Sequence, residues 1–167
     1  MNKDRLFFFI QACLKNNSFQ FGIFLRSFFY KYFFKKFGKN IQIKDGVTFK
    51  YPSDIEIGNG CIIGEYCYLV GKSGLIIEEN VLIGAGSKIV TSNHNFKRTD
   101  TPIRNQGLSF KPIHIEKNVW IGFDVKILAG SKISNGNIIG TNSVINKIFE
   151  TPNTIIAGTP AKIIKAR

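Results

Sequence analysis

Residues 115–145 read IEKNVWIGFDVKILAGSKISNGNIIGTNSVI, and this stretch decides the fold. Isoleucine recurs at every sixth residue, at positions 115, 121, 127, 133, 139 and 145. The positions four residues further on are mostly small or β-branched, as at Val119, Val125 and Ser131. A period of six matches neither the 3.6-residue period of an α-helix nor the two-residue period of a half-buried strand. The pattern is typical of short stacked units and predicts a parallel β-helix.

Each six-residue unit can form one short strand and one corner, so three units close a coil of about 18 residues. Successive coils stack at about 4.8 Å, with backbone hydrogen bonds between coils and isoleucines in ladders along the axis. A single coil has no core of its own, so stability comes from its neighbours.

The same phase continues towards the N-terminus. It passes through Ile57, Ile63 and Leu69 and, after a slip of two residues, through Ile77, Ile83 and Ile89. The repeat therefore covers about residues 41–150, and a C-terminal strand and tail cover residues 151–167. In the tail we expect a short strand at Thr154–Ala157, a turn at residues 158–160 and a basic amphipathic closing segment.

Residues 95–112 interrupt the repeat, which resumes in phase at Ile115. The segment is rich in charged residues, proline and glycine and has few candidates for the core. It is predicted to be a loop extruded from one corner. A long loop on a rigid scaffold commonly forms a wall or lid of a site, and a tolerated insertion is the alternative.

Residues 1–40 form an aromatic and basic N-terminal segment. We expect a helix from about Phe21 to Phe37, stopped by Gly38. Charged residues interrupt the apolar runs before any reaches the roughly 18 residues that would span a bilayer. Two compatible interpretations remain: the aromatics cover the open first coil, or the helix lies in an anionic membrane interface.

Charge and cysteine content bound the function further. The net charge is +12, and residues 1–40 carry eight basic residues against one acid. Three cysteines without a secretory signal suit a reducing cytoplasm. Cys61 and Cys67 are one repeat unit apart, which places them on different sides of the coil, so we expect core residues and not a disulfide.

The six-residue repeats, the Asn118–Gly122 run NVWIG and the Ala157–Ala161 run AGTPA together resemble the hexapeptide-repeat acyltransferases. More narrowly, they are similar to the maltose/galactoside and polysaccharide O-acetyltransferase branch. The resemblance implies an all-β, left-handed parallel β-helix, against the usual right-handed crossover rule. It also implies a homotrimer with an acetyl-CoA site in each cleft between subunits.

Acyl transfer from a thioester to a hydroxyl needs a base that titrates near neutrality, and imidazole suits that role. His94 stands in TSNHNF, five residues after the inward Ile89, and should point away from the core where the loop departs. It matches the family's catalytic histidine by its place before the loop. Its orienting partner is not identifiable from sequence. His114 lacks this motif, and we expect it to be a surface residue.

The resemblance also implies an acetyl-CoA site. Trp120 would line the cleft against the pantetheine arm, with a buried packing tryptophan as the alternative. Backbone groups near Gly122, Phe123, Gly140 and Thr141 would pair with the amides of that arm, and Lys147, Lys162 and Lys165 would meet the phosphates, with Arg167 as a further candidate. This chain has Phe123 where relatives often have a small residue, and lysine at two positions where relatives often have arginine.

For the saccharide acceptor, the candidates are Asn93, Arg98 and Arg104, and Lys111 is a further basic residue of the loop. Arginines and lysines there would suit an acidic or diphosphate-linked sugar.

The function expected from these features is acetyl-CoA-dependent O-acetylation of a saccharide hydroxyl, in a surface polysaccharide or its lipid-linked or nucleotide-sugar precursor. N-acetylation of an amino sugar is the alternative on the same scaffold, and a non-catalytic scaffold or basic binding protein is a remote one. A zinc carbonic anhydrase on a similar prism needs three histidine ligands, and this chain has two histidines. We expect no metal and no nucleic-acid partner, and a cytoplasmic protein with possible peripheral contact to the inner face of the membrane through residues 1–37.

Overall fold

A computed structural model describes residues 3–167. The helices are α1 (Lys3–Leu14) and α2 (Gln20–Tyr30). The strands are β1 (Lys36–Phe37), β2 (Gln42–Ile43), β3 (Thr48–Lys50), β4 (Ile55–Ile57), β5 (Ile62–Ile63), β6 (Tyr68–Val70), β7 (Leu75–Ile77), β8 (Leu82–Ile83), β9 (Lys88–Val90), β10 (Ser92–His94), β11 (Leu108–Phe110), β12 (Ile113–Ile115), β13 (Trp120–Ile121), β14 (Lys126–Leu128), β15 (Lys132–Ile133), β16 (Ile138–Ile139), β17 (Val144–Ile145), β18 (Ile148–Phe149), β19 (Thr154–Gly158) and β20 (Ala161–Ala166).

Three sheets form the walls of a parallel β-solenoid, which confirms the predicted class of fold. Sheet A has the order β1-β4-β7-β12-β15-β18, sheet B the order β2-β5-β8-β13-β16-β19-β20, and sheet C the order β17-β14-β9-β6-β3. The chain visits sheets A, B and C in turn, and its pairing between coils is parallel throughout the prism. Strands of only two or three residues suffice because each one is hydrogen-bonded to the coils above and below it.

The predicted isoleucine ladders fill the interior. In sheet B, Ile63 pairs with Ile83, Ile83 with Ile121, and Ile121 with Ile139, and all four side chains are buried. The register is therefore fixed by the apolar residue that each strand points inward, because a slip of one residue would turn it outward.

Cys61 and Cys67 are free and buried in the same interior, as expected of core residues. The Cys61 thiol donates to the Glu78 carbonyl at 2.9 Å, and the Cys67 thiol donates to the Gly84 carbonyl at 3.2 Å. Burial raises the pKa of both thiols, that of Cys67 to about 12. Neither is a reactive thiolate at neutral pH.

The prediction of a helix from about Phe21 to Phe37 was wrong at the C-terminal end of the helix. Helix α2 ends at Tyr30, and Lys36–Phe37 form strand β1, paired with Glu56–Ile57 of β4. The solenoid thus begins at residue 36, not at residue 41. The reason is tertiary: strand β1 gains ladder hydrogen bonds from β4, and no glycine or proline marks the helix end before Gly38.

Aromatic residues from both helices cover the first coil. The rings of Phe7 and Tyr30 lie 5.2 Å apart between centroids, and Phe34 contacts Phe49 of the first coil at 5.0 Å. All four side chains are buried. The N-terminal segment is therefore a cap over the open end of the solenoid, the first of the two interpretations drawn from the sequence.

Polar side chains of the helices satisfy the exposed backbone edge of the same coil. The Arg26 Nε–H donates to the Ile43 carbonyl at 2.8 Å, and the Ser27 hydroxyl donates to the Ile41 carbonyl at 2.8 Å. Arg26 is fully buried, and desolvation lowers the pKa of its guanidinium. These bonds replace the coil that would otherwise continue the ladder.

The C-terminal tail closes the other end of sheet B. Strand β19 extends the expected strand by one residue to Gly158, and β20 turns back to pair with it in antiparallel fashion.

The helices of residues 3–167 include none with the length and apolar character that a membrane span requires.

Candidate active site

His94 lies on a two-stranded ribbon that leaves the prism at the corner between sheets C and A. Strand β10 follows β9 almost directly and pairs with β11, with His94 opposite Leu108. Thr91 anchors the ribbon, because its buried hydroxyl donates to the Val70 carbonyl at 3.0 Å and its carbonyl accepts from the Lys111 N–H at 2.9 Å. The insertion at residues 95–112 is thus a loop extruded from one corner.

Gln106 organises this loop. Its side-chain nitrogen donates to the carbonyls of Arg98 and Thr101, each at 2.7 Å, and its side-chain oxygen accepts from the Arg98 N–H at 3.1 Å. The Asn95 amide donates to the Gln106 carbonyl at 3.0 Å. One glutamine therefore holds both arms of the loop in register beside His94.

The loop and ribbon enclose an open cavity of about 530 Å³. Its lining includes Asn93, His94, Arg98, Gln106 and Ser109. His94 is exposed, and no side chain of residues 3–167 hydrogen-bonds its imidazole. The ring is thus free to accept a proton from a molecule bound in the cavity.

Arg98 is paired within the loop. Its guanidinium donates to both carboxylate oxygens of Asp100, at 3.0 and 2.8 Å. The pairing raises the pKa of Arg98 and lowers that of Asp100. Arg98 lines the cavity, but the positive charge of its guanidinium is offset there by the Asp100 carboxylate.

The other loop candidates lie apart from this cavity. Arg104 is exposed on a short 3-10 turn, Ile103–Asn105, and is not among the lining residues. Lys111 lies at the base of the ribbon, where its side chain faces Gly130. Asn93 and Arg98 are thus the two acceptor candidates that the fold brings next to His94.

His114 occupies a different wall. It lies on β12 in sheet A, half exposed, with its Nε2 2.7 Å from a carboxylate oxygen of Glu78. This pairing gives His114 a local structural role on the surface of the prism.

Trp120 points outward from sheet B and is 52% exposed, which excludes the alternative of a buried packing tryptophan. It stands in an outward row of paired residues, with Leu82 on one side and Ile138, then Ile155, on the other. The row offers a flat apolar strip along the prism.

A column of glycines follows this strip at the corner between sheets B and C. A Cβ on Gly84 would lie 2.6 Å from the carbonyl carbon of Gly122, and a Cβ on Gly122 would lie 2.8 Å from the Thr141 nitrogen. Only glycine lets these corners stack so closely. Gly140 continues the column, with Ala157 below it. The N–H groups of Phe123 and Thr141, both exposed residues, have no hydrogen-bond partner within residues 3–167.

The three candidate lysines lie near the C-terminal end of the solenoid. Lys162 pairs with Ala157 and Lys165 with Ile155, so both lysines stand beside the strip. Lys147 shares a cavity of about 420 Å³ with Lys162 at the closed end of the solenoid. The Arg167 guanidinium instead donates to the Gly136 carbonyl at 3.0 Å, which ties it to another corner.

Within one chain, the predicted residues therefore form two groups on different sides of the prism. His94, Asn93 and Arg98 belong to the loop at the corner between sheets C and A, whereas Trp120 and its neighbours belong to sheet B and its far corner.

Sequence reasoning missed Gln106, Thr91 and Asp100. Gln106 and Asp100 act through hydrogen bonds within the irregular loop, whereas Thr91 bonds to Val70 of the neighbouring coil, and the six-residue repeat marks none of the three. In residues 3–167 no cluster of three histidine, cysteine or acidic side chains could hold a metal ion.

The repeats match a known family. Residues 112–147 match the model described as bacterial transferase hexapeptide (six repeats). The galactoside O-acetyltransferase of Escherichia coli is 31% identical over 136 residues, which is 81% of this chain and 65% of that protein. WbbJ of Escherichia coli, named for lipopolysaccharide biosynthesis O-acetyl transfer, is 34% identical over 112 residues, 62% of this chain and 56% of that protein. This chain thus spans less than two thirds of the length of either relative.

A solved structure extends the comparison to three dimensions. A galactoside acetyltransferase in complex with coenzyme A is 28% identical to this chain and superposes with a TM-score of 0.87. The match covers 98% of this chain and 80% of that one, so it includes the helical cap, the prism and the C-terminal hairpin.

Proposed function

Because this chain is a member of the hexapeptide-repeat transferase family, we propose that it is an acetyl-CoA-dependent O-acetyltransferase of a saccharide hydroxyl. The proposed acceptor is a surface polysaccharide or its lipid-linked or nucleotide-sugar precursor. The observation that carries the proposal is the exposed, unpaired imidazole of His94 at the edge of the cavity that the loop and ribbon enclose. The fold is shared with a galactoside acetyltransferase that was solved with coenzyme A.

His94 is the general base of the proposed reaction. Its imidazole takes the proton from the saccharide hydroxyl as that oxygen attacks the thioester carbonyl carbon of acetyl-CoA. The carbon–sulfur bond breaks, the acetyl group stays on the sugar oxygen, and the imidazolium returns its proton to the departing thiolate. The product pair is the acetyl ester and free CoA.

The surface of sheet B suits the acetyl-CoA molecule. The indole of Trp120 gives an apolar wall that excludes water, and the free N–H groups of Phe123 and Thr141 can donate to the amide carbonyls of the pantetheine arm. Lys162 and Lys165 bring positive charge to the end of the same strip, as a diphosphate requires.

The two groups of residues lie on different sides of one chain, and this separation supports a site shared between copies. We propose a homotrimer in which the loop of one subunit faces the Trp120 strip of the next. Such an arrangement brings His94 to the thioester without any change in the prism. Since acetyl-CoA is a cytoplasmic metabolite, the proposed location is the cytoplasm.

The test is an acetyl-transfer assay with acetyl-CoA and a panel of saccharides and amino sugars, in which release of CoA is measured. We expect turnover with hydroxyl acceptors, and we expect CoA alone to raise the melting temperature, because a ligand of the native state stabilises it. Turnover only with amino sugars would assign N-acetylation instead. Absence of both turnover and a thermal shift would overturn the enzymatic assignment.

A double variant tests the proposed contacts between lysines and the phosphates of acetyl-CoA. Replacing Lys162 and Lys165 together by alanine should raise KM for acetyl-CoA about tenfold or more, with kcat little changed, since these groups bind the far end of the cosubstrate in ground and transition states alike. Lys39→Ala removes an exposed lysine from the other end of the molecule and is the matched control. An equal change in both variants would contradict the assigned contact.

A further inference from the structure

Helix α2 has an aromatic face that the cap does not use. Phe21, Phe24 and Phe28 are 63%, 60% and 42% exposed, at spacings of three and four residues along one side of the helix. Their rings stack in sequence, with centroids 6.3 and 6.0 Å apart. We define these three phenylalanines, with Tyr32 at the end of the row, as the aromatic stripe.

The stripe is separate from the packing of the protein. The opposite side of α2 carries Arg26 and Tyr30, which are fully buried against the first coil. The cap is therefore complete without the stripe, which leaves a run of exposed phenylalanines without a role in folding. A contiguous exposed apolar surface commonly marks an interaction site.

Positive charge lies beside the stripe. The Lys31 ammonium stands 4.8 Å from the centre of the Phe28 ring and 5.0 Å from that of Tyr32. Lys36 and Lys39 are also exposed at this end of the molecule. Residues 3–40 contain eight basic residues and a single acid, Asp4, so the segment that carries the stripe is strongly basic.

The geometry points to an anionic lipid bilayer as the partner of the stripe, and we propose that α2 docks this protein on a membrane surface. Phenylalanines would enter the boundary between headgroups and acyl chains, while Lys31 and its neighbours would meet anionic headgroups. Packing the stripe against the stripe of a second copy is disfavoured, because it would bring two basic segments together and their like charges repel. Helix α2 has 11 residues and cannot span a bilayer, so the contact is peripheral.

The docked orientation has a consequence for the cavity. The loop leaves after β9, the third strand of sheet C from the cap, so two coil spacings of about 4.8 Å separate its origin from the first coil. A membrane at the cap would therefore lie near the loop. The value of this proximity for a membrane-bound acceptor rests on the proposed function, whereas docking on the membrane does not.

The test measures co-sedimentation of the full chain with vesicles, a readout that does not depend on acetyl transfer. One set of vesicles contains phosphatidylcholine and phosphatidylglycerol, and the other contains phosphatidylcholine alone. We expect the protein to bind the anionic vesicles more tightly and to be released by salt. The variant with Phe21, Phe24 and Phe28 all replaced by serine should bind about 100-fold more weakly. Lys31→Glu should weaken binding to the anionic vesicles alone.

The matched control is Tyr66→Ser, which removes an aromatic residue of the prism that is 68% exposed and is not part of the stripe. It should bind vesicles as the unmodified protein does. Circular dichroism and the mass in solution establish that the triple variant is folded. The proposal is overturned if the unmodified protein ignores anionic vesicles or if the triple variant still binds them. A triple variant that loses its oligomeric state also overturns it, because the stripe would then be a contact between copies.

Discussion

The side-chain amide of Gln11 on α1 pairs with both backbone groups of Phe49 in the first coil. The Phe49 N–H donates to the Gln11 Oε1 at 2.7 Å, and the Gln11 nitrogen donates to the Phe49 carbonyl at 3.3 Å. The amide thus takes the place of a peptide group in a strand that the solenoid lacks. Both partners are buried, so water cannot substitute for either bond.

We predict that Gln11→Leu lowers the free energy of unfolding by about 2–4 kcal/mol, since two buried backbone groups lose their partners. Urea denaturation would measure the loss. Ala12 is an exposed neighbour on the same helix, and Ala12→Leu, which leaves the pair intact, should stay within about 0.5 kcal/mol. Equal stability of the two variants would show that the pairing contributes nothing.

We predict that His94→Ala lowers kcat about 10²–10⁴-fold, because the acceptor hydroxyl loses its base. Its melting temperature should not change, since the side chain is exposed and unpaired. His114→Ala provides a control with the same change of side chain. That variant breaks a half-exposed pair with Glu78, costs at most about 1 kcal/mol, and should retain acetyl transfer. If the His94 variant retained full activity, another group would have to be the base.

We predict that Gln106 is a positioning residue for His94. Gln106→Ala removes three hydrogen bonds across the loop and should lower kcat about tenfold or more, while KM for acetyl-CoA and the shape of the pH profile stay the same. Thr99→Ala changes an exposed residue of the same loop and should have no effect. A shifted pH profile in the Gln106 variant would instead indicate a direct role in proton transfer.

We predict a loss of stability at alkaline pH from the two buried thiols. Folding raises the pKa of Cys61 and Cys67 above the ordinary value of 9.0, so the folded state binds more protons than the unfolded state above that pH. The stabilisation is fully present below about pH 9 and is lost as the pH rises towards 12. For Cys67 the loss amounts to at most about 4 kcal/mol.

Urea unfolding at about pH 8 and about pH 11 would test this dependence. Replacing both cysteines by valine should flatten it, and valine suits these inward positions because neighbouring coils carry Val47 and Val81 there. At neutral pH a thiol reagent should modify the exposed Cys13 and neither buried cysteine in the native protein. Rapid labelling of all three would contradict the burial.

The ends of the prism show where sequence reasoning fails. The repeat predicts Ile121 and Ile139 correctly because each inward position depends only on residues six apart and on the coils above and below. The end of α2 at Tyr30 and the strand at Lys36–Phe37 depend on β4, which comes some 20 residues later. Propensity over residues 31–37 is compatible with helix, and the tertiary partner decides otherwise.

The candidate site divides in the same way. The motif around His94 and its place before the insertion are visible in the sequence. The hydrogen bonds of Gln106 are not visible in the sequence, and neither is the neutralisation of the Arg98 charge by Asp100. Both depend on how an irregular loop folds back on itself. The exposure of Trp120 could be inferred from its place directly before an inward isoleucine.

The sequence by itself determined the stacked coils, the identity of their inward residues and the position of the extruded loop. The reason is that a solenoid uses contacts between equivalent positions of neighbouring coils, so the period alone carries that information. Only the tertiary structure decided where the coils begin, how Gln11 and Arg26 complete the open edge, and which face of α2 is left exposed. Those features depend on one surface meeting another that has no periodic relation to it, and packing and hydrogen bonding select them only once the chain has folded.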